Sequence, residues 1–168
     1  NQLHGGKVGF SYRFWETEIV GDVLKMTLKS EDGDQGYPHN LTMTVEYELV
    51  HGALEIRYSA ISDGNTVWAP TNHTYFNLSG HDSGCICDQE LKLYSTQFTE
   101  NDTGCLTTGN ILDMAGTALD FRDWKALGKD IESSDVNVQN VGGYDHNFIL
   151  PQDGEFALCA EAWSPKTD

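Results

Sequence analysis

The sequence predicts an all-β fold made of antiparallel sheets. Apolar and polar residues alternate with a period of two over residues 41–49 and again over residues 54–60, as in strands that bury one face and expose the other. A short link that contains Gly52 joins the two runs, which predicts a β-hairpin. Several more short runs separated by turn residues favour a β-sandwich or a barrel-like arrangement.

Further strands are predicted where apolar residues alternate or cluster between turn residues: 10–15, 24–28, 67–68, 91–94, 147–150 and 156–163. Residues 123–131 could form about two helical turns, although Gly128 weakens that prediction. Acidic or glycine-rich turns are expected at 31–38, 62–65 and 79–84. The sequence shows no internal repeat or linker, so residues 1–168 are predicted to form a single domain.

The strongly acidic composition excludes some classes of binding partner. Acidic residues outnumber basic ones by 26 to 10, and the formal charge is −16. Such a charge repels phosphate backbones and anionic membrane surfaces, so we expect neither a nucleic-acid nor a membrane partner. An uncharged ligand is unaffected by this charge, and the simplest role of the acidity is solubility alone. We expect a monomer or weak dimer in the cytoplasm.

The four cysteines are Cys85, Cys87, Cys105 and Cys159. The close pair Cys85 and Cys87 lacks the second close pair of a structural zinc site, so reduced thiols are expected. Asn40 and Asn101 begin triplets of the glycosylation acceptor pattern, which is short and common by chance.

Three histidines lie among glycines, amides, aromatic residues or a carboxylate: His4 before Gly5 and Gly6, His73 after Asn72, and His146 after Asp145. Glycines allow the backbone to approach a ligand closely, and planar amides and carboxylates suit the hydroxyl groups of a sugar. Each histidine could instead be a hydrogen-bonded structural residue. A metal site is not supported, because no pair has the spacing of helical ligands.

Five segments in the same order resemble the aldose 1-epimerase, or galactose mutarotase, family. They are Asn1-Gln2-Leu3-His4-Gly5-Gly6 with Gly9-Phe10 and Trp15, Asp32-Gly33 with Gly36-Tyr37-Pro38, Pro70 to Gly80 around Asn72-His73-Thr74-Tyr75-Phe76-Asn77-Leu78, Gly116 to Arg122, and Gly143-Tyr144-Asp145-His146-Asn147-Phe148. The resemblance covers nearly the whole chain. It implies a large antiparallel β-sandwich of the galactose mutarotase-like supersandwich type, incomplete in this chain.

The resemblance also implies interconversion of the α and β anomers of free aldohexoses such as galactose and glucose, with neither a cofactor nor a metal. His73 matches the general acid of the family. His4 and Asp145 match substrate-binding positions, and Thr74 and Tyr75 flank the acid at the sugar. His39 stands where the family usually has glycine.

The glutamate that acts as the family's general base lies in a motif that these 168 residues do not contain, and an upstream Asn-Arg pair is also absent. We therefore expect this chain to be a partial domain that is inactive by itself. Two alternatives remain: a non-catalytic sugar-binding module on the same scaffold, and a hexose-6-phosphate epimerase, against which the low count of lysine and arginine argues.

Overall fold

The computed structural model describes residues 2–150 and 154–167, and their regular elements are mostly strands. The strands are β1 (Glu16–Val20), β2 (Val23–Ser30), β3 (Leu41–Val50), β4 (Ala53–Ser62), β5 (Glu90–Leu93), β6 (Gln97–Asn101), β7 (Thr107–Asp113), β8 (Lys125–Ala126), β9 (Phe148–Ile149) and β10 (Ala160–Trp163), and the α-helix is α1 (Val136–Val141). All paired strands run antiparallel. The predicted all-β antiparallel class is therefore confirmed.

The chain divides into two compact units, Asn1–His73 and Thr74–Asp168. In the N-terminal unit, four strands form one sheet in the order β1-β2-β3-β4. The predicted hairpin is confirmed: Val50 pairs with Ala53, and the two residues between them have positive φ angles of 49° and 85°. Two left-handed residues define a type I′ turn, whose twist matches that of paired strands.

The alternation that predicted these strands also defines the buried face of the N-terminal sheet. Leu28, Met43 and Val45 are buried, and Leu28 lies directly opposite Met43 in the β2–β3 register. Cross-strand contacts of this kind are the unit of sheet stabilisation. The opposite face is polar, and there Arg57 of β4 pairs with Glu48 of β3 at 2.8 Å.

The C-terminal unit contains two three-stranded sheets, with the orders β10-β5-β8 and β7-β6-β9. Its core is built on Phe98, Met114, Leu119 and Phe121, all of which are at most 1% exposed. Partly buried residues from both sheets pack against this cluster: Leu91, Leu93, Leu112, Leu127, Tyr144 and Phe148. One apolar cluster therefore holds the two sheets of this unit together.

Three predicted elements are wrong. Residues 10–15 contain a 3-10 helix, Phe10–Tyr12, rather than a strand, and the Trp15 indole closes it by donating to the Phe10 carbonyl at 3.1 Å. Residues 67–68 lie outside any strand. Residues 123–131 are not helical, because the amides of Leu127 and Gly128 donate to the carbonyls of residues 89 and 87 instead of to their own turn.

The predicted strands at 24–28, 91–94, 147–150 and 156–163 are confirmed in β2, β5, β9 and β10, although β9 and β10 are shorter than expected. The expectation of reduced thiols is wrong for Cys85 and Cys87, which are joined by a disulfide, while Cys105 and Cys159 are free. The single domain over residues 1–168 stays a prediction.

Candidate active site

His4 begins a run of three consecutive residues with positive φ angles. His4, Gly5 and Gly6 have φ angles of 52°, 82° and 97°, and this region costs an L-residue with a side chain roughly 1–2 kcal/mol. Glycine avoids that cost at two of the three positions. The two glycines after His4 are therefore required by the turn that carries the imidazole.

Gly9 closes the same loop. A Cβ atom at Gly9 would lie 2.1 Å from the carbonyl oxygen of His4, far inside van der Waals contact, and Gly9 is itself buried. The backbone of His4 can reach its position only because residue 9 has no side chain. Gly9, singled out in the sequence only as part of a motif, thus helps to place His4.

The acidic turn at residues 31–38 supports the His4 loop from outside. The Val8 amide donates to the side-chain oxygen of Gln35 at 3.2 Å, and the Gln2 side chain donates to the Gln35 carbonyl. Arg13 donates to the Val8 carbonyl at 3.0 Å and forms a two-pronged ion pair with Asp34. The guanidinium of Arg13 holds the pKa of Asp34 below its ordinary value, so the Asp34 carboxylate stays charged and its ion pair with Arg13 is kept.

His73 follows Asn72 in a stretch, residues 65–77, that has no regular secondary structure. The imidazole rings of His4 and His73 meet edge to face, with centroids 5.6 Å apart and planes at 83°. This is a favourable arrangement for two π-systems. The structure thus brings together the predicted acid and one predicted substrate-binding residue, both of which are exposed.

Strand β4 holds the segment that carries His73. The Tyr58 hydroxyl and the Asn72 side chain are hydrogen-bonded, although burial and the nearby Tyr47 raise the pKa of Tyr58 above its ordinary value. Tyr58 lies on the apolar face of the sheet, opposite Val45. The sequence alternation placed Tyr58 on that face, but the pattern gave no sign of its bond to Asn72.

Thr74 and Tyr75 begin the C-terminal unit, and both are exposed, Tyr75 at 88%. Three residues further on, the Leu78 amide donates to the Gln89 side-chain oxygen at 3.3 Å, and the Gln89 amide donates to the Asn77 side chain at 2.8 Å. Gln89 is 4% exposed. A buried glutamine thus fixes the end of the segment on which Thr74 and Tyr75 lie.

Asp145 lies in the loop between α1 and β9. That loop leaves the helix through Gly142 and Gly143, with φ angles of 71° and 145°, as is usual at a helix C-terminus. The Asp145 carbonyl accepts a hydrogen bond from the Asn101 side chain at 2.9 Å. Asp145 is exposed, so its carboxylate is available to solvent and to ligands.

His146 points the other way, into the core. Its ring meets that of Phe98 edge to face at 5.4 Å, and within the described ranges neither ring nitrogen has a hydrogen-bond partner of ordinary geometry. Burial lowers the pKa of His146, and the charges of Asp145 and Asp135 and the Asn137 backbone only partly oppose that shift. His146 is therefore an uncharged core residue at neutral pH, and in the described part of the chain its ring nitrogens lack the hydrogen bonds that the structural interpretation of a buried histidine predicted.

Among residues 2–150 and 154–167, no three histidine, cysteine or carboxylate side chains are grouped as a metal site would require. In the same part of the chain, no helix has the length and apolar character of a membrane span. Asn101, one of the two glycosylation-pattern asparagines, is 5% exposed and uses its side chain internally, so the fold hides it from a glycosylating enzyme.

Comparison with known proteins identifies the family of the chain. The profile of the aldose 1-epimerase family matches residues 1–168. The chain is 36% identical to the galactose mutarotase of Sus scrofa over 95% of its own length and 45% of the relative. It is also 36% identical to the aldose 1-epimerase of Escherichia coli K12, over 98% of the chain and 48% of the relative.

A solved structure shows the same fold. The galactose 1-epimerase of Lactobacillus acidophilus superposes with a TM-score of 0.84 at 31% identity, covering 97% of this chain and 48% of that one. The chain therefore belongs to the aldose 1-epimerase family, whose model matches its whole length. It spans about half the length of the curated relatives that it matches.

Proposed function

We propose that this chain supplies the proton-donating side of an aldose 1-epimerase, which interconverts the α and β anomers of free aldohexoses such as galactose and glucose. The observation that carries the proposal is the edge-to-face contact of His4 and His73. Both imidazoles are exposed. His4 lies on a loop that requires glycines, and His73 is next to Asn72, which bonds Tyr58. Together the two rings can bind a sugar hydroxyl and the ring oxygen.

The reaction needs two proton transfers. A base removes the proton of the anomeric hydroxyl while an acid protonates the ring oxygen; the ring opens, the carbonyl turns, and the reverse transfers close it. Histidine suits the acid role because its unperturbed pKa lies close to neutral pH. In this proposal His73 donates to the ring oxygen, and His4 lies beside it and binds the sugar.

The remaining predicted residues contribute binding. The exposed carboxylate of Asp145 would accept hydrogen bonds from sugar hydroxyls, and Thr74 and Tyr75 would line the sugar next to the acid. The family resemblance places the general base, a glutamate, outside these 168 residues. The proposed partner is an uncharged aldohexose, because a formal charge of −16 repels phosphorylated sugars.

The proposal also covers the whole molecule. Residues 1–168 form one partial domain, the protein is a monomer or weak dimer in the cytoplasm, and it binds neither nucleic acid nor membranes. The acidic composition supports the absence of a nucleic-acid or membrane partner, because a net negative charge repels phosphate groups.

The test is mutarotation of α-galactose, followed by polarimetry with the full-length protein. His73→Ala is expected to lower kcat by at least about tenfold, since general acid catalysis is worth roughly 10²–10⁴-fold. His51→Ala is the matched control, because His51 is an exposed histidine in the β3–β4 turn. A smaller loss for His73→Ala would remove it as the acid. Galactose binding without any mutarotation would favour the sugar-binding module, and inhibition by sugar phosphates alone would favour the phosphate-specific epimerase.

A further inference from the structure

An irregularity in β6 changes which side chain this strand buries. Strict alternation from the buried Phe98 would turn Glu100 inward and Asn101 outward. The register with β7 instead shifts between Thr99 and Asn101, and Asn101 is 5% exposed. Glu100 stays at the surface, where Thr108 and Asn110 donate to its carboxylate at 2.7 and 2.8 Å. Bulges of this kind re-aim single side chains and are frequent beside active sites.

The re-aimed amide of Asn101 binds the loop that carries Asp145. Its Nδ2 donates to the Asp145 carbonyl at 2.9 Å, and its own backbone carbonyl accepts from the Asn140 side chain at 2.9 Å. Asn140 belongs to α1, the helix that leads into this loop. Asn101 therefore links the end of β6 both to the helix before the loop and to the loop itself.

A second hydrogen bond holds the backbone on the other side of Asp145. The Thr99 amide donates to the Asn147 carbonyl at 2.9 Å, so β6 holds the backbone on the far side of Asp145 as well. Both bonds use backbone carbonyls of the loop and leave the Asp145 carboxylate out of the interaction. The backbone of Asp145 is fixed while its acidic group stays exposed, as a carboxylate that receives a ligand requires.

We propose that Asn101 is a positioning residue for Asp145: it fixes the carboxylate that grips the hydroxyls of the aldohexose. The inference rests on the proposed function and deepens it, because it assigns to a residue outside the family motifs a role in sugar binding. A displacement of about 1 Å at a binding group can cost as much as 10²-fold. Loss of the Asn101 amide is therefore expected to weaken sugar binding, even though Asn101 does not contact the sugar.

The first test replaces Asn101 by leucine, which has nearly the same shape but no donor, in the full-length protein. KM for galactose is expected to rise about tenfold while kcat changes less than about threefold, because lost ground-state binding appears in KM. Asn110→Leu is the matched control: it removes an amide of the neighbouring strand that bonds Glu100 rather than the Asp145 loop. Asn101→Ser, which keeps a shorter donor, gives a second measurement if the leucine variant does not fold.

The decisive measurement is a double-mutant cycle with Asp145→Ala. If Asn101 acts through Asp145, Asn101→Leu raises KM less than about twofold once the Asp145 carboxylate is absent. An equal increase in both backgrounds, or no increase in either, overturns the inference. A wild type that does not mutarotate would refute the proposed function instead, and the same cycle is then measured on the Kd for galactose by calorimetry, with the same criteria.

Discussion

The rings of His4 and His73 meet edge to face at 5.6 Å, although 69 positions of the sequence separate the two residues. Neither histidine lies in a helix or a strand. His4 depends on a loop closed at Gly9 and braced by Gln35 and Arg13, and His73 depends on the bond between Asn72 and Tyr58. The relation between the two imidazoles is therefore sensitive to residues that never touch a sugar.

Gly9→Ala tests that dependence. The added Cβ would lie 2.1 Å from the His4 carbonyl, so the loop must move, at a cost of about 1–3 kcal/mol as for other overpacked sites. We expect kcat/KM for α-galactose to fall by at least about tenfold in the full-length protein. Gly104→Ala is the control, because its Cβ would meet only the end of the Asp102 side chain, at 3.2 Å. Equal activity of the two variants would show that the His4 loop tolerates displacement.

His146 predicts a dependence of stability on pH. Its pKa is lowered in the folded protein by burial, so near and below pH 6.5 the unfolded chain binds more protons than the folded one. Folding stability is then fully present above about pH 6.5 and declines as the pH falls toward the lowered pKa. His146→Phe, which keeps an aromatic ring beside Phe98, should flatten this decline in urea unfolding curves measured between pH 5 and 7. His81→Phe, at an exposed position, should leave it unchanged.

Asp135 caps α1 and also binds the backbone of a residue outside the helix, Ala118. Its carboxylate accepts from the amides of Ala118 and Asn137 at 2.8 and 2.9 Å. Burial alone would raise the pKa of Asp135, but these donors hold it below its ordinary value. Asp135→Ala should reduce the free energy of unfolding by about 1–2 kcal/mol, measured by urea denaturation. The contribution is present above about pH 4 and is lost as the pH falls through the lowered pKa. Asp123→Ala, at an exposed carboxylate, should cost far less; equal losses would contradict the capping role.

The parts of the fold that the sequence predicted are those whose alternation is local. In β2, β3 and β4 the apolar residues recur at every second position, because one face of that sheet is apolar and its middle, at Leu28, Met43 and Val45, is buried. Strands β6 and β7 have no such pattern, since Gln97–Asn101 and Thr107–Asp113 are largely polar. Helix α1 is only six residues long, too short for a helical period to show.

The candidate site divides in the same way. His4, His73 and Asp145 could be named because the family resemblance carried them, and glycines beside them signalled unusual backbone. Asn101 could not be named, because its inward direction depends on a register shift between two strands. The partners Tyr58, Gln35 and Arg13 also depend on tertiary contact, which no local pattern encodes.

His39 and Gly64 are expected to be energetically coupled. His39 has a φ of 67°, in the left-handed region, where the family usually has glycine. A Cβ at Gly64 would lie 2.4 Å from the His39 ring. Gly64→Ala should therefore destabilise the protein by about 1–3 kcal/mol but cost much less in a His39→Gly background. Thermal unfolding of the wild type, the two single variants and the double variant measures the coupling. Additive effects would show that the His39 ring moves into solvent and removes the clash.

The 168-residue chain by itself is expected to lack mutarotase activity and to aggregate. Large apolar side chains are exposed on it: Phe14 and Phe156 fully, and Ile19, Leu49 and Ile61 at 77–79%. Exposed apolar surface and the outer strands of an open sheet promote self-association. Light scattering of the purified chain should show aggregates where the full-length protein scatters as a small particle at the same concentration. Polarimetry with α-galactose should show no acceleration by the isolated chain, whereas measurable mutarotation by these 168 residues would mean that a base other than the family's glutamate completes the proton transfers.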